Sequence, residues 1–173
     1  MTMKVPDPIG PIREYALGLL DRRAYSCGDL THRLVSKGHE RALVDLVIGR
    51  LVDCGLLDDE ALARAMAEAT IQKKPASAAL IEQKLHARRI PTDIAQRVAA
   101  EVLDGVDPVE AAARLARDML AAGRGKAVRT NRQRIGAALA RRGFDTDIIC
   151  EALEQAGLTR RLPDDSFNQE HGP

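Results

Sequence analysis

The 173-residue chain contains no tryptophan, and its aromatic residues are only Tyr15, Tyr25, Phe144 and Phe167. Any core must therefore be aliphatic, and without aromatic and β-branched alternation a sheet is disfavoured. Cysteine is scarce as well. Cys27, Cys54 and Cys150 are odd in number, far apart, and lack the Cys-x-x-Cys or flanking-histidine spacing of a zinc site. They are expected to be reduced, mostly buried small hydrophobes, with no metal bound. No stretch approaches the ~18 to 20 apolar residues of a membrane span. Residues 1–11, with three prolines and a glycine, lack the apolar segment of a secretory leader. The expected location is the cytoplasm.

What the chain does contain is one apolar pattern written three times. It reads Leu30, Leu34, Leu43, Val47, Leu51, then Ile81, Leu85, Ile94, Val98, Val102, then Ile135, Leu139, Ile148, Ala152, Ala156. The internal steps are +4, +9, +4, +4 each time, and the copies lie 51 and 54 residues apart. A +4 step keeps residues on one helix face, and a +9 step containing a break does not, so each copy is helix, turn, helix. The turns are Lys37-Gly38-His39, Arg89-Ile90 and Arg142-Gly143-Phe144. A unit of about 50 residues cannot bury enough apolar surface alone, so stacked units are expected.

Local chemistry fills in the rest. A first helix is predicted over about 12–23, with Ala16, Leu17 and Leu20 toward a core. Ser26 with Asp29 caps a second helix that ends at Lys37-Gly38, and a third runs from about Arg41 to Cys54. Asp58-Asp59-Glu60 opens a helix to about Lys73, where carboxylates meet free amides and the positive end of the helix dipole. Helices over about 78–88 and from Pro91 to before Gly105 follow. Asp107-Pro108-Val109-Glu110 starts a seventh, ending near Gly123. After a basic loop over 124–129, two more are predicted over about 131–141 and 145–155. The expected fold is all-α: three tandem three-helix units, 12–56, 57–105 and 106–157, in an elongated, curved array. Flexible tails are expected at 1–11 and 158–173.

A net charge of +1 conceals a segregated distribution. Arg124, Lys126, Arg129, Arg132, Arg134, Arg141 and Arg142 fall in one stretch without an acid. Seven like charges repel one another, which favours an anionic partner, although a solvated helix face is the plainer reading. If all seven met single-stranded phosphates, the salt slope of binding would approach about −5. Without interleaved aromatics, any DNA contact should be weak and sequence-independent. Gly123-Arg124-Gly125-Lys126 fails as a phosphate-binding loop, because Leu120 stands where its first glycine belongs and Ala127 where Ser or Thr would bind magnesium. Asp58, Asp59 and Glu60 read as a cap, His39 as turn packing, and His32 and His86 have no placeable partner. No catalytic constellation, cofactor or small-molecule substrate is expected. The open alternatives are a helical-hairpin DNA-binding module, with apolar or acidic second helices that suit it poorly, and a helical scaffold.

The chain resembles the RecX family of bacterial regulators. The resemblance is carried by Ala16-Leu17-Gly18-Leu19-Leu20-Asp21-Arg22-Arg23, by Ser26-Cys27-Gly28-Asp29-Leu30, and by Leu34-Val35-Ser36-Lys37-Gly38. It continues through Leu51-Val52-Asp53-Cys54-Gly55-Leu56-Leu57-Asp58-Asp59-Glu60 and at Leu139-Ala140-Arg141-Arg142-Gly143-Phe144, covering roughly 12–157. It implies a non-enzymatic protein that sits along the RecA–DNA filament and restrains its growth, ATP hydrolysis, strand exchange and coprotease action in the SOS response. The middle unit departs from the family pattern. Ala61 and Leu62 replace a basic residue and an aromatic, and residues 71–77 replace a glycine- and arginine-rich stretch. Lys73, Lys74, Lys84, Arg88 and Arg89 are expected to substitute in part as filament contacts, beside the basic residues of the third unit.

Overall fold

The structure, a computed structural model, describes residues 7–122 and 128–158, with side chains over 7–122 and 131–158. Among the described residues there are nine α-helices and no strand. They are α1 (Gly10–Leu20), α2 (Cys27–Ser36), α3 (Arg41–Asp53), α4 (Asp59–Lys73), α5 (Ala78–His86), α6 (Thr92–Val102), α7 (Pro108–Ala122), α8 (Val128–Ala140) and α9 (Thr146–Gln155).

The helices pack in threes, each triplet around its own core. The first core gathers Ile12, Ala16, Leu19, Tyr25, Leu30, Leu34, Val44, Val47, Leu51 and Leu57. The second gathers Ala63, Ala67, Ile81, Leu85, Ile90, Ala95, Val98 and Ala99. The third is built on Ala112, Ala113, Leu115, Ala116, Ile135, Leu139, Phe144, Ala152, Leu153 and Leu158. The opening helices α4 and α7 present alanine to these cores, which lets their backbones lie close to the second and third helices of the triplet. The first two bundles belong to one compact unit, made of the described residues up to Lys74 and Ala78–Gly105. The second compact unit holds Pro75–Ser77 and the described residues from Val106.

Helix ends follow the expected capping chemistry. Ser26 Oγ accepts from the Asp29 N–H at 2.9 Å, Asp58 Oδ1 accepts from Glu60 and Ala61 at 3.0 and 2.9 Å, and Asp107 Oδ1 accepts from Val109 at 2.9 Å. At the other ends one motif recurs. His39, Leu56, Ile90, Phe144 and Leu158 each donate a backbone N–H to a leucine carbonyl five residues back, Leu34, Leu51, Leu85, Leu139 and Leu153 respectively. The residue before each donor is left-handed: Gly38, Gly55, Arg89, Gly143 and Gly157. This is the Schellman closure, in which glycine is the usual left-handed residue. Arg89, at φ 55°, is the non-glycine residue of the set and bears backbone strain on the order of 1 kcal/mol.

Several expectations are corrected. Helix α1 starts at Gly10, because Pro11 fits the first turn where its missing N–H is not needed, so residues 10 and 11 do not belong to a tail. Its buried side is Ile12, Ala16 and Leu19, whereas Leu17 is exposed, since a helix turns 100° per residue and Leu17 falls opposite that stripe. Helix α5 stops at His86, two residues before Arg88, because the chain then winds into the left-handed turn at Arg89. Helix α8 already covers Val128 and Arg129, which the expected basic loop included. Leu158 is buried in the third core rather than starting a tail. Cys54 and Cys150 are exposed, and only Cys27 is half-buried, because the first two lie on the outer faces of α3's end and α9. The tails over 1–6 and 159–173 and the fragment Gly123–Lys126 lie outside the described residues.

Candidate charged interface

In the third bundle, α8 carries the described part of the basic stretch. Its inward stripe is Asn131, Ile135 and Leu139, at +4 steps, and all three are buried. Arg132 and Arg134 flank that stripe and are half-buried for a specific reason. The last four carbonyls of a helix have no intrahelical donor. Arg134 Nη2 donates to the Met119 carbonyl in the last turn of α7 at 3.1 Å and to Asn131 Oδ1 at 3.3 Å. Arg132 Nη1 donates to the Leu158 carbonyl just past α9. Both cations thus sit at the negative ends of neighbouring helix dipoles.

Arg142 is engaged in a similar way. Its Nε donates to the Pro75 carbonyl at 2.7 Å, its own carbonyl accepts from the Ser77 N–H at 3.1 Å, and burial pulls its pKa below the usual arginine value. Arg141, by contrast, is exposed. Arg124 and Lys126 lie outside the described residues, as does the side chain of Arg129.

The middle-bundle candidates also divide. Lys73 and Lys74 are exposed at the end of α4. Lys84 Nζ donates to Thr70 Oγ1 at 3.1 Å, joining α5 to α4. Arg88 is turned inward: Nη2 donates to the Ala24 carbonyl at 2.8 Å, and Nε lies 3.2 Å from Asp29 Oδ2. Arg89 is exposed and lines a groove of about 560 Å³ along α2, with Thr31, His32, Val35, Ser36 and Arg41. Of the described candidates, then, Arg88, Arg132, Arg134 and Arg142 hold backbone carbonyls of their own chain. Lys73, Arg89 and Arg141 present their side chains to solvent, and Lys74 is exposed as well.

Sequence reasoning missed the internal use of these arginines. The repeat register contains the clue: 51 residues separate Ser26 from Ser77 and Ala24 from Pro75, and 54 separate Arg88 from Arg142. It also missed a network on the outer face of α4 and α6. Arg97 Nη1 lies 2.6 Å from Glu60 Oε1, and Arg64 Nη2 lies 2.7 Å from Glu101 Oε2. Arg97 holds the Glu60 carboxyl below its ordinary pKa, through hydrogen bonding first and charge second. All four side chains are more than a third exposed, so the network adds little stability. Among the described residues, no group of three or more His, Cys, Asp or Glu is placed to hold a metal ion, and no helix is long and apolar enough to cross a membrane.

Three-helix bundles repeated in tandem, with arginines at the bundle ends, define a helical repeat protein. Residues 13–51 match the family description "RecX, first three-helix domain", and residues 106–153 match "RecX, third three-helix domain". A protein named regulatory protein RecX from Chlorobium limicola is 30% identical over 139 residues, 80% of this chain and 85% of its own length. A protein of the same name from Mycobacterium tuberculosis is 30% identical over 166 residues, 88% of this chain and 92% of its own length. The crystal structure of RecX from Lactobacillus salivarius superposes with a TM-score of 0.70 at 20% identity, covering 90% of this chain and all of the other. The chain belongs to the RecX family.

Proposed function

We propose that this protein regulates the RecA recombinase in the cytoplasm by binding the RecA–DNA filament. Binding limits filament extension, ATP hydrolysis, strand exchange and coprotease activity, and requires no chemistry by the regulator itself. The observation that carries this reading is membership of the RecX family, with similarity running through the first and third three-helix domains. Among the candidate cations, the exposed Lys73, Arg89 and Arg141 are suited to meet an acidic filament surface or DNA phosphates. Contact with bare single-stranded DNA is weak and independent of sequence, since no aromatic side chains accompany these charges.

The test is a titration of the protein into a DNA-stimulated RecA ATPase assay, with ATP in excess, beside binding to bare single-stranded DNA in the same buffer. Inhibition at protein well below the RecA concentration, with weaker binding to bare DNA, is the expected result. Tight DNA binding without inhibition would replace this reading with a nucleic-acid module.

A further inference from the structure

The first turn of α2 is bonded to the second bundle from several sides, beside an ion pair of Asp29 with Arg23 of its own bundle at 3.5 Å. Ser26 is fully buried. Its hydroxyl accepts the Asp29 N–H as an N-cap and donates its own proton to the Arg88 carbonyl. One serine thereby joins the amide end of α2 to the turn that follows α5. The Arg88 guanidinium returns across the same gap to the Ala24 carbonyl at 2.8 Å and the Asp29 carboxylate at 3.2 Å. The Cys27 N–H donates to Asp59 Oδ1, at the start of α4, at 2.8 Å. A Cβ on Gly28 would stand 2.5 Å from the Arg89 carbonyl oxygen, so the two backbones touch where only glycine fits.

The same arrangement recurs inside the second compact unit, at the positions that the repeat register dictates. Arg142 replaces Arg88, Pro75 replaces Ala24 as carbonyl acceptor, and Ser77 replaces Ser26 as donor to the arginine's own carbonyl, here through its N–H. The remaining positions of the register, Lys37 in the first copy and Asn131 in the third, have no matching partner among the three copies and face other work. The Lys37 ammonium lies 5.8 Å from the Tyr15 ring, and Asn131 accepts from Arg134. Serine and arginine therefore stand at these positions where a copy supplies the matching residue. A surface chosen for charge alone would have no reason to follow that rule.

We infer that Arg88 is a positioning residue that, with Ser26, Asp29 and Asp59, couples α1–α3 to α4–α6 as one body, and that regulation depends on this coupling rather than on Arg88 touching the filament. The second clause rests on the proposed action on RecA. A filament presents its contacts at fixed spacing, so two bundles held together bind as one rigid ligand. Two bundles that swivel must lose that freedom on binding, which weakens affinity.

The test uses the full chain carrying Cys54→Ser and Cys150→Ser, so that Cys27 is its only thiol. Arg88→Ala is compared with this parent by helix content, amide hydrogen exchange and the RecA ATPase titration. Expected are unchanged helix content, exchange at residues 27–29 faster by about tenfold or more, and an inhibition midpoint raised by about tenfold. Asp59→Cys is then added, because the Cys27 N–H already bonds Asp59 Oδ1 at 2.8 Å, which sets the two residues side by side. Oxidation to a disulfide between Cys27 and the introduced thiol, verified by mass, should restore the midpoint, and reduction should abolish the rescue. Weakened inhibition with unchanged exchange would overturn the inference, since Arg88 would then act by direct contact. A verified disulfide that fails to restore inhibition would overturn it too. Should Arg88→Ala unfold, Ser26→Ala, which keeps the guanidinium and removes the hydroxyl, carries the same comparison. If the parent does not inhibit RecA, the proposed function fails, and the exchange measurement alone still decides whether Arg88 couples the bundles.

Discussion

The second and third bundles close their middle helices with the same hydrogen bonds and different residues. In the second, Leu85 accepts from Ile90 across a left-handed Arg89; in the third, Leu139 accepts from Phe144 across a left-handed Gly143. The backbone path is common to both, so it is set by the buried leucine and the apolar residue that follows the turn. The residue between them is free to serve other ends, at a cost in strain. The third bundle spends that position on conformational ease, and the second places a cation there beside the α2 groove.

The comparison breaks most completely at the leucines. Leu85→Ala and Leu139→Ala each remove a fully buried side chain and should cost about 3 kcal/mol in denaturant unfolding. A much smaller loss at either site would mean that its core collapses to fill the gap. Exchanging the turn residues is expected to be asymmetric. Gly143→Arg should cost about 1 to 2 kcal/mol by forcing a side chain into the left-handed region. Arg89→Gly should change stability by less than about 0.5 kcal/mol, because relief of strain is offset by the greater freedom of glycine in the unfolded chain. Equal and opposite effects would show that the strain at Arg89 is not local.

Binding should separate the two regions more finely. With Arg132, Arg134 and Arg142 held by carbonyls, Arg141→Glu together with neutralisation of Arg124, Lys126 and Arg129 should flatten the salt slope for bare single-stranded DNA by no more than about 3, well short of the roughly 5 of an undivided basic stretch. A simultaneous Glu substitution of Arg132, Arg134, Arg141 and Arg142 should disrupt the third bundle, whereas Arg141→Glu alone should leave its melting unchanged and weaken filament binding severalfold. The smallest effect belongs to the α4–α6 network. Because the Glu60 pKa is lowered by folding, its contribution is present above the unfolded carboxylate value and lost as pH falls through the folded one. Glu60→Gln should flatten that acid-side loss in a thermal scan and leave pH 7 stability nearly unchanged.

Much of this fold was legible because helices advertise themselves by period. The +4 steps of Ile135 and Leu139, the Ser26 and Asp58 caps and the glycines at 38, 55 and 143 all specify local backbone, and local backbone is what a sequence states directly. That α8 already covers Val128 and Arg129 was not legible, since a run of basic residues states no apolar period. The candidate interface was less readable than the fold. A run of arginines looks the same whether each guanidinium meets solvent or a helix-end carbonyl, and that choice depends on which chain ends lie nearby. Only the shared register of Ser26 with Ser77 and of Arg88 with Arg142 carried that information in one dimension.

The cysteines lend themselves to spectroscopy. Burial, and secondarily the Asp59 carboxylate, push the Cys27 thiol up to about 11, so at pH 7 only about one molecule in 10,000 carries the reactive thiolate. Cys54 and Cys150 are exposed, one in each compact unit. The natural chain therefore accepts a donor and an acceptor dye at those two thiols without any mutation, and energy transfer between them would report the separation of its two halves, first in free solution and then during engagement with a partner.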